Sequence, residues 1–207
     1  MLSFSRSLGP DSTAFAIFVT EKYYYQDKGN ILSNDIIQKI NSFLKVQQAK
    51  KQKQEISFFD ISNKQKCFII KVKNKYESFY AEENGGEFFS YLKKFKDITK
   101  VDLCINSLDF DKEKLEKFSS QFIFGFNLKS YTFNKYKTLN REKISKTINL
   151  KIITTNKEKI EKKYKYYDAI KEGVFLTRDL VSEPPNVLTP KAYTQRIKQL
   201  SKFGLKI

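Results

Sequence analysis

Apolar residues in this chain change period along its length, and the changes mark out elements. Residues 14–20 (AFAIFVT) form a nearly unbroken apolar run of strand length, the pattern of a strand buried on both faces. Residues 34–50 carry Ile36, Ile37, Ile40, Phe43 and Leu44 at helical spacing, with Ser33 or Asn34 placed to cap them. Two short runs, 55–61 and 66–72, flank Ser62-Asn63-Lys64-Gln65 and read as a hairpin. Gly85-Gly86 precede a helix running to about residue 95, with Phe88, Tyr91, Leu92 and Phe95 on one face. A strand follows over 101–105. Asp109 or Asp111 then opens a helix with Leu115, Phe118, Phe122 and Gly125 in register, and 149–154 (NLKIIT) is another strand.

The last third is one long stripe and a corner. Thr155 and Glu158 have the spacing of a capping box. From there Ile160, Tyr164, Tyr167, Ile170, Val174, Thr177 and Val181 step by 4, 3, 3, 4, 3 and 4, one apolar face of a helix. That helix would be roughly 40 Å long at about 1.5 Å per residue. Glu183-Pro184-Pro185-Asn186 stops it, because a residue before proline is pushed out of the α region. Thr189-Pro190 restarts a helix with a cap followed by proline at its first position. Tyr193, Ile197 and Leu200 form its apolar side, and Gly204 ends it. Leu205-Lys206-Ile207 begins a strand pattern that stops after three residues, which suggests a chain cut inside a domain.

Strands and helices alternate throughout, so we expect an α/β fold: a mixed sheet flanked by helices, followed by a long linking helix. The expected domains are an N-terminal α/β domain over 1–155, the linking helix over 156–182, and the start of a second α/β domain over 183–207.

Composition narrows the chemistry. The chain has 207 residues with 40% hydrophobic and 15% aromatic positions, too apolar for disorder. It contains no histidine, which removes Ser-His-Asp, Cys-His, HExxH and histidine-ligated zinc. Two cysteines, Cys67 and Cys104, cannot make a four-thiolate zinc site. They lie in apolar runs without a CxxC, as reduced, buried thiols of a cytosolic protein do. No signal-peptide core or membrane-length apolar run is visible, so we expect a cytoplasmic protein without membrane attachment.

The formal net charge is +16, from 39 Lys and Arg against 23 Asp and Glu. Arginine occurs four times, at Arg6, Arg141, Arg178 and Arg196, so lysine supplies the rest. A lysine excess spread over the whole chain, alongside abundant Ile, Asn, Phe and Tyr, suits the codon bias of a low-GC genome; the alternative is a polyanion surface making weak, salt-sensitive contact with nucleic acid and no base-specific reading. Its densest stretch, residues 45–75, interleaves Phe58, Phe59 and Phe68, either a stacking platform for single strands or strand core. Asp109, Asp111, Glu113 and Glu116 superficially suggest a calcium loop. Lys114 stands where that loop needs Gly, and Ser120 where it needs Glu, so an acidic first helical turn is the better account. Gly85-Gly86 before a helix could hold an anion, though no nucleotide-loop motif surrounds it.

Two stretches carry identity. Residues 124–138 contain G-x-x-L-x-x-Y-x-F-x-x-Y-K, here Gly125, Leu128, Tyr131, Phe133, Tyr136 and Lys137. Residues 177–190 contain R-D-L-x-x-x-P-P-N-x-x-T-P, here Arg178, Asp179, Leu180, Pro184, Pro185, Asn186, Thr189 and Pro190. Together they resemble the leucyl aminopeptidase (cytosol aminopeptidase) family of metallopeptidases, as its N-terminal domain plus the start of its catalytic domain. One departure is clear: where the family has a Gly-containing turn after the strand at 66–72, this chain reads IKVKNKYES, which speaks against a small-molecule cleft there.

The resemblance implies an N-terminal domain similar to the macro domain, then a larger catalytic domain. In the family that second domain holds two divalent metals, Mn or Zn, and hydrolyses the first peptide bond of peptides. The assembly is a homo-hexamer, and some members also bind DNA. The family's N-T-D-A-E-G-R metal motif has no counterpart in these residues. The resemblance therefore assigns no catalytic, cofactor-binding or metal-binding residue to this chain. Its matching residues read as structural: Pro184-Pro185 fixes a corner, Thr189 caps and Pro190 starts the next helix. Arg178 and Asp179 either tie the corner to the catalytic domain or face solvent. Tyr131, Phe133 and Tyr136 pack the end of the domain core. The alternative is a stand-alone binding module, nucleic acid included, without peptidase activity.

Overall fold

The computed structural model describes residues 2–9, 12–51, 54–108, 110–138 and 147–207. Its centre is a six-stranded sheet in the order β1-β6-β5-β2-β4-β3. The strands are β1 (Leu2–Ser5), β2 (Ala14–Thr20), β3 (Ile56–Ser62), β4 (Gln65–Val72), β5 (Lys100–Cys104) and β6 (Asn149–Ile153). All neighbours are parallel except β3, which turns back antiparallel on β4 as the hairpin pattern predicts. The helices are α1 (Asn34–Ala49), α2 (Tyr80–Leu92), α3 (Lys112–Lys129), α4 (Lys157–Ser182) and α5 (Pro190–Lys198).

The apolar runs of β2 and β4 are explained by two cores. Alternate residues of a strand face opposite sides. Phe15, Ile17 and Val19 join Ile40 and Leu44 of α1 on one side. Ala14, Ala16 and Phe18 face the other, where α2, α3 and the first turns of α4 cover the sheet. There the Phe18 ring meets Phe118 and Phe122 edge-on, at 5.4 and 5.0 Å between centroids. The α/β class with a mixed, helix-flanked sheet is thus the observed one.

Several local expectations are corrected. Sequence pattern missed β1, whose Leu-Ser-Phe-Ser is too short to read; its register is supplied by β6, with Leu2 opposite Leu150 and Phe4 opposite Ile152. Gly85 and Gly86 do not precede a helix but lie inside α2, which begins at Tyr80. The reason is tertiary. A Cβ on Gly85 would sit 2.0 Å from the Phe122 carbonyl oxygen, and one on Gly125 would sit 1.9 Å from that of Glu82. Helices α2 and α3 therefore cross backbone to backbone, and only glycine permits it. Amides inside a helix are bonded to carbonyls one turn back, so the anion site that Gly85-Gly86 could offer ahead of a helix is not formed.

Nor does Thr155 cap α4. Its hydroxyl accepts from Asn106 Nδ2 at 2.7 Å, a tie between the turns after β5 and β6, and Asn156 is the flanking residue instead. Asp111 does cap α3, accepting from the Lys114 N–H at 2.8 Å. Its alternative, Asp109, lies outside the described residues. The α4 stripe is buried only at its start: Ile160 and Tyr164 are in the core, whereas Val181 is 81% exposed. Asn127 Nδ2 donates to the Tyr164 hydroxyl at 2.6 Å and fastens α3 to α4. Burial pushes that hydroxyl up to about 12.

Gly204 ends the α5 segment at φ +82°, after a single 3-10 turn over Gln199–Phe203. Residues 205–207 form no strand and are exposed. Cys67 and Cys104 are free and buried, and burial pushes both thiols up. No helix among the described residues is long and apolar enough to cross a membrane.

Candidate functional site

The two sequence motifs, far apart along the chain, meet in space. Helix α3 ends at Lys129, and the chain then runs back irregularly beside the last turns of α4. The Tyr131 ring packs on Phe175, centroids 5.1 Å apart, and its hydroxyl donates to Asp179 Oδ1 at 2.8 Å. Arg178 reaches the other way. Its Nη1 donates to the Leu128 carbonyl at 2.8 Å, satisfying one of the orphan carbonyls at the end of α3. Its guanidinium also lies 5.5 Å over the Tyr131 ring. Arg178 and Asp179 are exposed, yet each hydrogen-bonds within this chain, Arg178 to the end of α3 and Asp179 to the segment that follows it.

Glu183 is the hub of the corner. The proline behind it holds it extended, with ψ 137°, and this ends α4. Its Oε1 accepts from Lys135 Nζ at 2.7 Å and from Arg196 Nη1 at 3.0 Å, and its Oε2 accepts from the Tyr136 hydroxyl. The Glu183 side chain is only 2% exposed. Lys135, with help from Tyr136 and Arg196, holds its carboxyl down to about 2. The Pro184 carbonyl then accepts from the N–H groups of Val187 and Leu188, both at 2.9 Å, and turns the chain. Thr189 caps α5 by accepting from the Ala192 N–H at 3.3 Å. Three segments are fastened by one carboxylate: residues 131–136, the end of α4, and α5.

Tyr131, Phe133 and Tyr136 consequently do not pack the end of the core. Tyr131 and Tyr136 pack and hydrogen-bond against the end of α4, and Phe133 rests on Tyr136 at 5.7 Å between centroids. Sequence reasoning placed Pro184, Pro185, Thr189 and Pro190 correctly and missed the partners. Glu183 and Lys135 fall on unspecified positions of the motifs, and Arg196 lies outside them. Their only signal was opposite charge.

This corner is built as a clamp, with the Glu183 carboxylate engaged by Lys135, Arg196 and Tyr136. Among the described residues no group of three or more His, Cys, Asp or Glu could hold a metal ion. The aromatic residues of the basic stretch 45–75 are likewise committed. Phe68 is core, Phe59 stacks on Phe43 at 4.5 Å, and Phe58 packs edge-on against Phe95 at 4.8 Å. Of the three, Phe58 is the exposed one, at 37%.

Several known proteins are similar to this chain over part of their length. No family model matches the chain. It is 39% identical over 95 residues to a probable cytosol aminopeptidase of Gluconobacter oxydans, a stretch covering 46% of this chain and 19% of that protein. It is 34% identical over 126 residues to a probable cytosol aminopeptidase of Phytoplasma mali, covering 59% and 24%. Among solved structures it resembles a tomato leucine aminopeptidase mutant, with TM-score 0.71 and 17% identity over 98% of this chain and 42% of that one. A bottromycin maturation enzyme, BotP, in complex with Mn gives TM-score 0.62 at 12% identity, over 93% and 36%. The macrodomain of Thermus aquaticus DarG gives TM-score 0.51 at 10% identity, over 74% of this chain and 98% of that one. The chain thus matches well under half the length of these aminopeptidases.

Proposed function

We propose that this chain, which carries the N-terminal domain of the leucyl aminopeptidase family, is the non-catalytic portion of a cytosolic enzyme that removes N-terminal amino acids from peptides. Its role is to fold as an independent α/β body and to hold the opening of the peptidase domain, residues 183–207, in a set orientation through the linking helix. The metal chemistry of the family, two divalent ions of Mn or Zn, belongs to sequence outside these residues. The observation that supports this reading is the corner itself. Both family motifs spend their polar side chains on it, and Glu183 joins the N-terminal body to α5.

The test has two parts. The 207-residue protein should release nothing above blank from a leucine chromogenic amide with Mn or Zn added. The reading frame after codon 207 should continue into an N-T-D-A-E-G-R motif, and the longer product should be active. Metal-dependent turnover by the 207-residue chain, abolished by a chelator, would overturn the assignment. A natural stop followed by a short polar tail would instead support a stand-alone binding module.

A further inference from the structure

Strand β3 ends the sheet, with β4 on one side of it and no strand on the other. Just ahead of it the Lys71 N–H donates to the Glu55 carbonyl at 2.8 Å. In an antiparallel pair the residues bonded to the partner alternate, so Ser57 and Phe59 also turn their N–H and C=O groups toward β4. The N–H and C=O groups of Ile56 and Phe58 then point outward along the free edge.

Such an edge is commonly blunted by lysine, proline, a bulge or a cover. Residues 56–62 (ISFFDIS) contain neither lysine nor proline. The register irregularity falls between Asp60 and Ser62, and Asp60 is engaged by Lys66 Nζ at 2.6 Å. The far end of the edge is therefore blunted, whereas residues 56–59 keep an open strand template.

A groove of about 1080 Å³ runs beside this open half, between residues 54–58 and α2. That is the large end of ligand sites, room for a stretch of extended chain. Glu55 enters it from the strand side, and Glu83 with Glu87, one helical turn apart, from α2. Burial pushes the Glu87 carboxyl up, and the charges of Glu55 and Glu83 push it further. Among the described residues none of the three carboxylates forms an ion pair. Lys94 and Lys129 also line the groove, which leaves it one negative charge in a chain of net charge +16. No acidic group among the described residues is spaced to hold a metal ion, so the missing cation is a longer one.

A smaller cavity of about 280 Å³ continues the groove past the strand edge and shares Gln54, Phe58 and Tyr91 with it. Gln47 and Ser57 line that cavity, with Lys50 at its border. Gln47 and Ser57 are 3% and 5% exposed, and Gln47 Oε1 and Ser57 Oγ have no hydrogen-bond partner. Buried polar atoms left without a partner are costly, and an incoming donor relieves them.

We infer that the free edge of β3 docks an extended segment of another protein that carries lysine or arginine at alternate positions. Its backbone adds a strand along Ile56 and Phe58. Its cationic side chains fall on one face and meet Glu55, Glu83 and Glu87, while a donor on the other face reaches Gln47 and Ser57. The inference is independent of the peptidase reading, since the edge belongs to the N-terminal body and shares no residue with the corner.

The experiment is fluorescence anisotropy with the 207-residue protein and a labelled hexapeptide that alternates lysine and valine. Comparators are the same peptide with glutamine for lysine, the same peptide N-methylated along its backbone, and unlabelled spermidine as competitor. Glu83→Gln with Glu87→Gln removes two groove charges; Glu113→Gln with Glu158→Gln removes two charges elsewhere. The lysine peptide should bind below millimolar concentration although protein and peptide are both cationic. The groove pair should lose about tenfold in affinity, and the distant pair about twofold at most. The glutamine and N-methylated peptides should each bind at least about tenfold more weakly than the lysine peptide. No binding at millimolar concentration would overturn the inference, as would equal losses in the two variant pairs. So would N-methylated peptide binding as tightly as the parent, which excludes strand pairing, or spermidine competing as well as unlabelled peptide, which reduces the groove to a general cation site.

Discussion

The sheet body and the corner after α3 are held together by different forces. The body relies on apolar burial and on a backbone-to-backbone helix crossing at Gly85 and Gly125. The corner relies on a few charged and polar side chains gathered around Glu183, and α5 beyond it has no buried residue. Apolar burial is insensitive to pH and is shared by every element that packs on the two cores. A charge cluster can be released by one proton or one amide substitution. The body should therefore fail as a unit, whereas the corner should open without it.

The largest effect should come from the body. Gly125→Ala places a Cβ against the Glu82 carbonyl with no flexible side chain to yield, at a cost of about 3 kcal/mol or more. For a chain of this size that lowers Tm by roughly 6–12 °C, measurable by circular dichroism. Unchanged Tm would mean that α2 and α3 do not cross as closely as described. A smaller loss is expected at the most buried ion pair among the described residues. Asp102 is buried on β5 and Lys151 Nζ, on β6, lies 3.9 Å away. Lys151→Met should cost about 2 kcal/mol, less than the roughly 3–5 kcal/mol of a fully buried pair because Lys151 is 16% exposed.

Glu183→Gln should move Tm by less than about 2 °C, since little apolar surface depends on it. Proteolysis within 183–207 should nevertheless speed up several-fold. Acid should do the same to the wild type. The Glu183 carboxyl titrates at about 2, below the usual carboxylate range, so its contribution is complete above about pH 5 and lost as pH falls through about 2. Wild-type and Glu183→Gln cleavage rates should therefore differ at pH 6 and converge by pH 2. The smallest effect should be Val181→Ala, within about 0.5 kcal/mol, because that side chain is largely in solvent.

What the sequence revealed follows the same division. Runs such as AFAIFVT and stripes such as Ile40 with Leu44 are set by local period, and the strands and helices they predict are present. The mistakes lie where a distant residue decides. Gly85-Gly86 looked like a boundary because glycine is scarce inside helices; only the close approach of α3 shows why it is inside one. Strand β1 becomes a strand because β6 offers it an edge. The Thr155 hydroxyl accepts from Asn106, a partner that no local window contains, and does not cap α4. The corner was half legible. Proline and capping threonine act on their own neighbours, so Pro184, Pro185, Thr189 and Pro190 could be read directly. The Glu183 hub could not, because Lys135 and Arg196 converge on it only in three dimensions.

The central claim is that Glu183 fastens α5 to the N-terminal body. Amide hydrogen exchange on wild type and Glu183→Gln at neutral pH tests it residue by residue. The account predicts that amides of residues 190–203 exchange at least about tenfold faster in the variant, while those of β2 and β5 are unchanged. Equal exchange of residues 190–203 in the two proteins would contradict it.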